Sequence, residues 1–289
     1  MLERLSRGWA ITKASWSVLK QHPKLMLLPM ASSLALITLL AIIGAGGYMG
    51  HKAGLFTQVL QADSQIPFGF YAVLFAIYVV CSFIIVFFNA AMVFCSLQAF
   101  NGEEPSISKG LATAMGRLPQ ILAWALLAST VGVLLSAVQE FLKDKLSIFG
   151  SLLGSLLEAS WALVTYFVVP VLVVDGVNPF EAVKRSGAIL KKTWGEQLAG
   201  QAGMSAISFL LLLPVFLLVV VAMITFKASV PVVGWMLAAA AVPYVLAVFL
   251  VFATLGAIFR TGTYVYATTG KAPEAIGADL VASAFRKKK

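Results

Sequence analysis

Charge is scarce in this chain. Only 11% of its 289 residues are charged, 12 acidic and 21 basic, where soluble domains carry about 25%. So small a polar fraction cannot cover a soluble surface. Histidine and cysteine are scarcer still, at two each. His22 and His51 flank the first long apolar run, and Cys81 and Cys95 lie fourteen positions apart inside the second. That spacing is about 21 Å of helix, far beyond disulfide reach. No histidine, cysteine and carboxylate group has metal-ligand spacing. No glycine-rich loop is placed to cradle phosphate, and no serine has a histidine and a carboxylate plausibly near it. The expectation is a protein that is not an enzyme and uses no cofactor and no metal.

Hydrophobic length is what the chain has in abundance. Hydrophobic residues make up 60% of it, and the mean hydropathy is +0.94. In lipid, backbone groups must be satisfied within the segment, so only helices or closed barrels span. Barrel strands read as alternating segments of about ten residues. Here the runs are continuous over the twenty or so residues that a helix needs. The expected fold is an all-α integral membrane protein, a single membrane domain over 1–289. Six spans are predicted, near 25–49, 70–97, 118–138, 155–174, 199–226 and 232–259. The first run, at about 23 residues, is too long for the core of a cleavable signal.

Basic residues set the orientation. Arg4, Arg7, Lys13, Lys20 and Lys24 precede the first span; Lys109 and Arg117 follow the second; Lys184, Arg185, Lys191 and Lys192 follow the fourth. Arg260, Lys271, Arg286, Lys287, Lys288 and Lys289 follow the sixth, which makes 17 on one side. Lys52, Lys143, Lys145 and Lys227 are the 4 on the other. Both termini are therefore expected in the cytoplasm, with the protein multi-pass in the cell membrane. The net charge of +9 needs no nucleic acid to explain it. Anionic phospholipid head groups are the expected partners, worth about 1 kcal/mol per basic residue near the surface.

A repeat organises the chain. Leu2, Leu5, Trp9, Thr12 and Trp16 share a 3-4-3-4 spacing with Phe180, Val183, Gly187, Leu190 and Trp194, 178 positions later. Arg7/Arg185, Ala10/Ala188, Ile11/Ile189, Lys13/Lys191 and Trp16/Trp194 are identical at that offset. A fainter copy carries Ile107, Leu111, Ala114 and Leu118. Three parallel repeats are expected, near 1–100, 101–175 and 176–270. Each would be a cytoplasmic interfacial amphipathic helix, at 6–18, 108–120 or 184–196, followed by a hairpin of spans. Ile276, Leu280 and Ala284 mark a fourth such helix over 273–286. Gly46/Gly50, Ala128/Gly132/Ser136, Ala199/Gly203 and Ala253/Ala257 suggest tight helix contacts, and Pro214 and Pro243 should kink their spans.

Few span residues can carry function. Glu158 is the only acid inside a predicted span, about one turn below the outer surface. It reads either as a carboxylate reaching the interface or as a proton-responsive site facing the bundle interior, with Lys143 or Lys145 as a partner. Asn89 reads as interhelical glue or as a ligand, and Gln98 is the other amide of that span. Arg4, Arg7, Lys184, Arg185, Lys191 and Lys192 are the candidate contacts to anionic lipid. The run Pro179-Phe180-Glu181-Ala182-Val183-Lys184 superficially fits the mitochondrial-carrier signature. It occurs once, after an even-numbered span, and that reading is rejected.

Ser6-Arg7-Gly8-Trp9 and Lys13-Ala14-Ser15-Trp16-Ser17-Val18-Leu19, with Tyr264-Val265-Tyr266-Ala267-Thr268-Thr269-Gly270, Pro273 and Ala284-Phe285, carry a resemblance. The chain resembles a family of prokaryotic six-span integral membrane proteins classed as a domain of unknown function. That resemblance implies no activity and no functional residues. A looser likeness is to the membrane region of glycerophosphodiester phosphodiesterases, where catalysis belongs to a separate soluble domain. Two functions follow as expectations. The first is a non-catalytic protein that organises lipid or partner proteins at the cytoplasmic membrane, possible partners including a second copy or another membrane protein. The second is a small-molecule or lipid permease.

Overall fold

The apolar runs form helices, because backbone groups taken out of water must bond within their own segment. The computed structural model describes residues 15–54, 68–227 and 231–270, with 192–202 and a few single positions described by backbone alone. A helical segment at 15–21 and a 3-10 turn, Pro23–Met26, lead into α1 (Leu27–Lys52). Then come α2 (Phe68–Phe100), α3 (Ile107–Gly116), α4 (Leu118–Val164), α5 (Val168–Asp175), α6 (Pro179–Lys227) and α7 (Pro231–Thr269). No strand occurs among the described residues. Among the described residues, five stretches are long and apolar enough to cross a membrane: Pro23–Lys52, Phe68–Phe100, Leu118–Asp175, Gly203–Thr225 and Val232–Thr269.

The third stretch, at 58 residues, turns back on itself. Trp124 and Trp161 stack with ring centroids 6.2 Å apart, whereas a straight helix would separate them by about 55 Å. The turn is at Ser147, whose φ of 50° and ψ of −121° are not helical. Two glycines let the arms close. A Cβ on Gly150 would strike the Leu142 carbonyl, and one on Gly154 would strike the Gln139 side chain. The spans expected at 118–138 and 155–174 lie on these two arms.

Three boundaries differ from the sequence expectation. The helix expected over 108–120 stops at Gly116, and α4 starts at Leu118, where Pro119 sits in its first turn and costs no hydrogen bond. The helix expected over 184–196 is not separate, because α6 runs unbroken from Pro179 to Lys227. No interior proline falls between 180 and 213 to stop it there, since Pro179 is its first residue and Pro214 lies well beyond. The helix that carries the stretch expected at 232–259 does not end at Phe259. The helix continues to Thr269, and Thr261, Thr263 and Tyr264 are buried there.

The chain divides into two compact units. The first joins the residues up to Pro29 with Met92–Ile107 and the chain from Ile189 onward. Its buried side chains include Val18, Leu25 and Leu28, Met92, Cys95 and Phe100, and Leu255, Ile258 and Phe259. The Pro23–Met26 turn packs against α7. Several hydroxyls buried here bond within their own helix, as from Ser96 to the Met92 carbonyl at 2.8 Å and from Thr263 to that of Phe259 at 2.8 Å. Such back-bonding removes the cost of an orphaned polar group in an apolar setting.

The second unit joins Met30–Ala91 with Ser108–Ala188. Its core is Ala90 and Ala91, Ile121, Trp124 and Ala125, and the run Phe167–Val173. In both units large apolar side chains stand exposed along the long helices, among them Leu34, Tyr71, Phe149, Phe216 and Trp235. In water such a surface would be an aggregation hazard; against lipid it is ordinary.

Candidate functional site

The polar chemistry of the second unit gathers where α5 hands over to α6. Pro170 has no N–H to offer the carbonyl four residues earlier. The helix stops at Val164 and restarts at Val168, placing Pro170 in the first turn of α5, where proline is tolerated. α5 ends at Gly176, which takes φ +66°, a conformation glycine adopts without strain. A Cβ there would also meet the Arg117 guanidinium. Asn178 then starts α6. Its Oδ1 accepts from the Glu181 N–H at 2.9 Å, and Pro179 occupies the first helical position. The carrier-like run beginning at Pro179 is thus a helix start.

Arg185 is held between two carboxylates. Its Nη1 donates to Asp175 Oδ2 at 2.8 Å and its Nε to Glu181 Oε1 at 3.0 Å. Its hydrogen bonds to Asp175 and then to Glu181 raise its already high pKa further, so it is a fixed cation. One residue on, the buried Ser186 hydroxyl donates to the Val164 carbonyl at 2.5 Å and accepts from the Phe167 N–H at 2.9 Å. Gly187 faces Val164. The buried side of this first part of α6 is Ala182, Ser186 and Leu190; its exposed side is Phe180 (73% exposed), Lys184, Ala188 and Lys191. Val183 and Gly187, expected on a lipid-facing stripe, are half-buried. An amphipathic pattern cannot say whether its apolar face meets lipid or protein.

The first unit carries a second polar group, at the connection from α2 to α3. Gln98 is buried, and its Oε1 accepts from the Ser106 N–H at 3.0 Å. Its Nε2 donates to Glu103 at 3.4 Å, and the Cys95 thiol lies 3.4 Å from the Ser106 carbonyl. Lys24 pairs with Glu104 at 3.0 Å, and this hydrogen bond, with Lys24's charge and then His22's, holds the Glu104 carboxyl below the usual range. Trp16 is exposed, with the Lys20 ammonium 5.9 Å from its ring centroid. In the same unit the Tyr244 hydroxyl donates to the Leu211 carbonyl at 2.8 Å.

The residues singled out from sequence are dispersed. Glu158 is exposed on the returning arm of α4, not turned into a packed interior, and makes no ion pair with Lys143 or Lys145 among the described residues. Its neighbours Leu156 and Leu157 are exposed as well, as is every residue from 155 to 160. Asn89 is half-buried on α2. Lys184 and Lys191 are exposed, whereas Arg185 is committed to its carboxylates. Arg4, Arg7, the Lys192 side chain and the 273–286 helix lie outside the described residues. Of the small-residue pairs, Gly132 receives the Tyr78 hydroxyl, whereas Gly46 has nothing within 4 Å. Sequence reasoning missed Ser186, Asp175 and Glu181. Asn178-Pro179 three residues ahead of an acid was the readable signal for a helix start, but nothing marked Ser186 as a bridge.

Comparison with known families gives a match over 68–274, to a family of unknown function, DUF6159. The chain belongs to DUF6159. The matched region holds both polar groups except Lys24, together with the 264–270 motif and Pro273; the Ser6–Leu19 and Ala284-Phe285 motifs lie beyond it. No curated protein matches the chain. The likeness to the membrane region of glycerophosphodiester phosphodiesterases is unsupported, and DUF6159 membership supplies no activity to carry over. No group of three or more histidine, cysteine or acidic residues among the described ones could hold a metal ion.

Proposed function

We propose that this DUF6159 protein is a non-catalytic, six-span protein of the cell membrane, with both termini in the cytoplasm, that organises lipid or partner proteins at its cytoplasmic face. The reading of six spans is supported by the reversal at Ser147, which divides the 58-residue Leu118–Asp175 stretch into two arms. Its orientation rests on the 17-to-4 division of basic residues, and its three repeats on the spacing shared at an offset of 178. The observation that carries the function is the face of α6 on which Phe180, Lys184 and Lys191 stand exposed together. An aromatic with flanking lysines is the composition that anchors a helix at an anionic surface. Trp16 beside Lys20 repeats it near the N-terminus.

The test is lipid retention. Purified protein carrying Lys184→Gln and Lys191→Gln together should lose anionic phospholipid by native mass spectrometry, and Arg185→Gln should not. Equal lipid in all three proteins would refute the reading. A reporter active only outside the cytoplasm, fused after Lys289, should be silent.

A permease is the second reading. The break between α4 and α5 favours it, because interrupted helices line the substrate paths of many transporters, as does the tie between the two proline-bearing helices at Tyr244 and Leu211. Reconstituted vesicles that pass no solute or lipid faster than empty ones would count against it.

A further inference from the structure

A helix that stops and restarts within three residues breaks its ladder of i to i−4 bonds, and each freed backbone group needs another partner. At the gap between α4 and α5, turn bonds run from the N–H groups of Thr165, Tyr166 and Val168 to the carbonyls of Trp161, Leu163 and Thr165. The Val164 carbonyl and the Phe167 N–H are both taken by Ser186. Ser186 and Phe167 are 0% exposed, so solvent does not reach this bridge. A straight helix through this point would leave the Tyr166 carbonyl facing Pro170, which has no N–H. Proline removes that bond and so permits a break, as α6 and α7 show by continuing through Pro214 and Pro243; it dictates neither the break nor its angle. Something else must hold that angle, and Ser186 bonds to both sides of it.

We propose that residues 165–167 form a hinge and that the Ser186 hydroxyl is its latch. With the latch closed, the returning arm of α4, α5 and the start of α6 are held as one body. The Arg185–Asp175 pair at 2.8 Å joins α5 to α6 one residue before the latch. When the Ser186 bridge opens, α5 therefore stays with α6 and the returning arm of α4 swings. Gly187 lies beside the latch, its ideal Cβ position 3.7 Å from Val164 Cγ1, so α6 passes the end of the returning arm at ordinary contact distance. The hinge stands whether the protein organises lipid or moves it.

Amide hydrogen exchange on the full-length protein in lipid nanodiscs tests this. Ser186→Ala should speed exchange at the Phe167 amide by about tenfold or more, the scale of one lost buried hydrogen bond, with α7 unchanged. Pro170→Ala combined with Ser186→Ala should restore slow exchange, because residue 170 then offers an N–H to the Tyr166 carbonyl and the helix can run through. If Ser186→Ala does not fold, Ser186→Cys keeps the size with a weaker donor and acceptor, and should give an intermediate rate. Wild-type exchange at Phe167 in either single variant overturns the latch. Acceleration spread evenly over α4, α5 and α6 overturns the hinge, since it reports general loosening. So does a double variant that exchanges as fast as Ser186→Ala alone.

Discussion

The Tyr244 hydroxyl donates to the Leu211 carbonyl oxygen at 2.8 Å, linking α7 one residue after Pro243 to α6 three residues before Pro214. Each proline removes a backbone donor and crowds the turn before it, and the bond meets α6 in that turn. Interhelical hydrogen bonds in lipid average about 0.6 kcal/mol, with about 1.7 as the upper end. Tyr244→Phe should therefore destabilise the protein by about 0.5–1.5 kcal/mol, read from unfolding in mixed micelles. No loss in that variant would mean that the bond adds nothing to the packing of α6 on α7.

The reversal in α4 depends on bare glycine and tolerates a strained serine. A side chain on Gly150 would strike the Leu142 carbonyl, which is backbone and cannot rotate away. Gly150→Val should cost about 1–3 kcal/mol and weaken the stacking of Trp124 on Trp161, visible in near-ultraviolet circular dichroism. Ser147→Gly should act oppositely, since φ 50° with ψ −121° is backbone that favours glycine. It should stabilise by up to about 1 kcal/mol.

Acid should release the Lys24–Glu104 pair. Glu104 has a folded pKa below its ordinary 4.5, so its contribution is present above that value and is lost as pH falls through the folded one. Both side chains are largely exposed, so the effect is small and screened by salt. Melting temperature should fall between pH 5 and pH 3 more in wild type than in Glu104→Gln. Identical curves for the two proteins would show that the pair is idle.

Adjacent basic residues on α6 should behave differently. Arg185→Gln breaks the bonds to Asp175 and Glu181 and should lower the melting temperature, with Arg185→Lys restoring it only in part because a lysine cannot keep the two-armed geometry. Lys184→Gln, on the exposed face, should leave the melting temperature unchanged.

Much of the architecture was legible in order. Apolar runs of the length seen at 25–49 and 70–97 admit only helices in lipid, and the stretches Pro23–Lys52 and Phe68–Phe100 enclose them. The site was less legible. Glu158 drew attention as the lone acid of a span, yet it is exposed, while the buried bridge is made by Ser186, one serine among many. Rarity in composition does not report which face of a helix a residue occupies.

Composition and run length by themselves determined that the chain is helical and apolar enough to cross a membrane, because lipid offers the backbone no other partner. Pro170 determined that one ladder bond is missing near it, and Asn178-Pro179 that a helix begins, since both follow from the presence or absence of a single N–H or cap. That the helix breaks at 165–167 was not legible, for α6 and α7 continue through Pro214 and Pro243. Only the tertiary structure decided that Arg185 turns to Asp175 while Lys184 stays exposed, and that the break is bridged by Ser186. Those outcomes depend on which helix lies beside which, and a periodicity shared by lipid-facing and protein-facing sides holds no record of the neighbour.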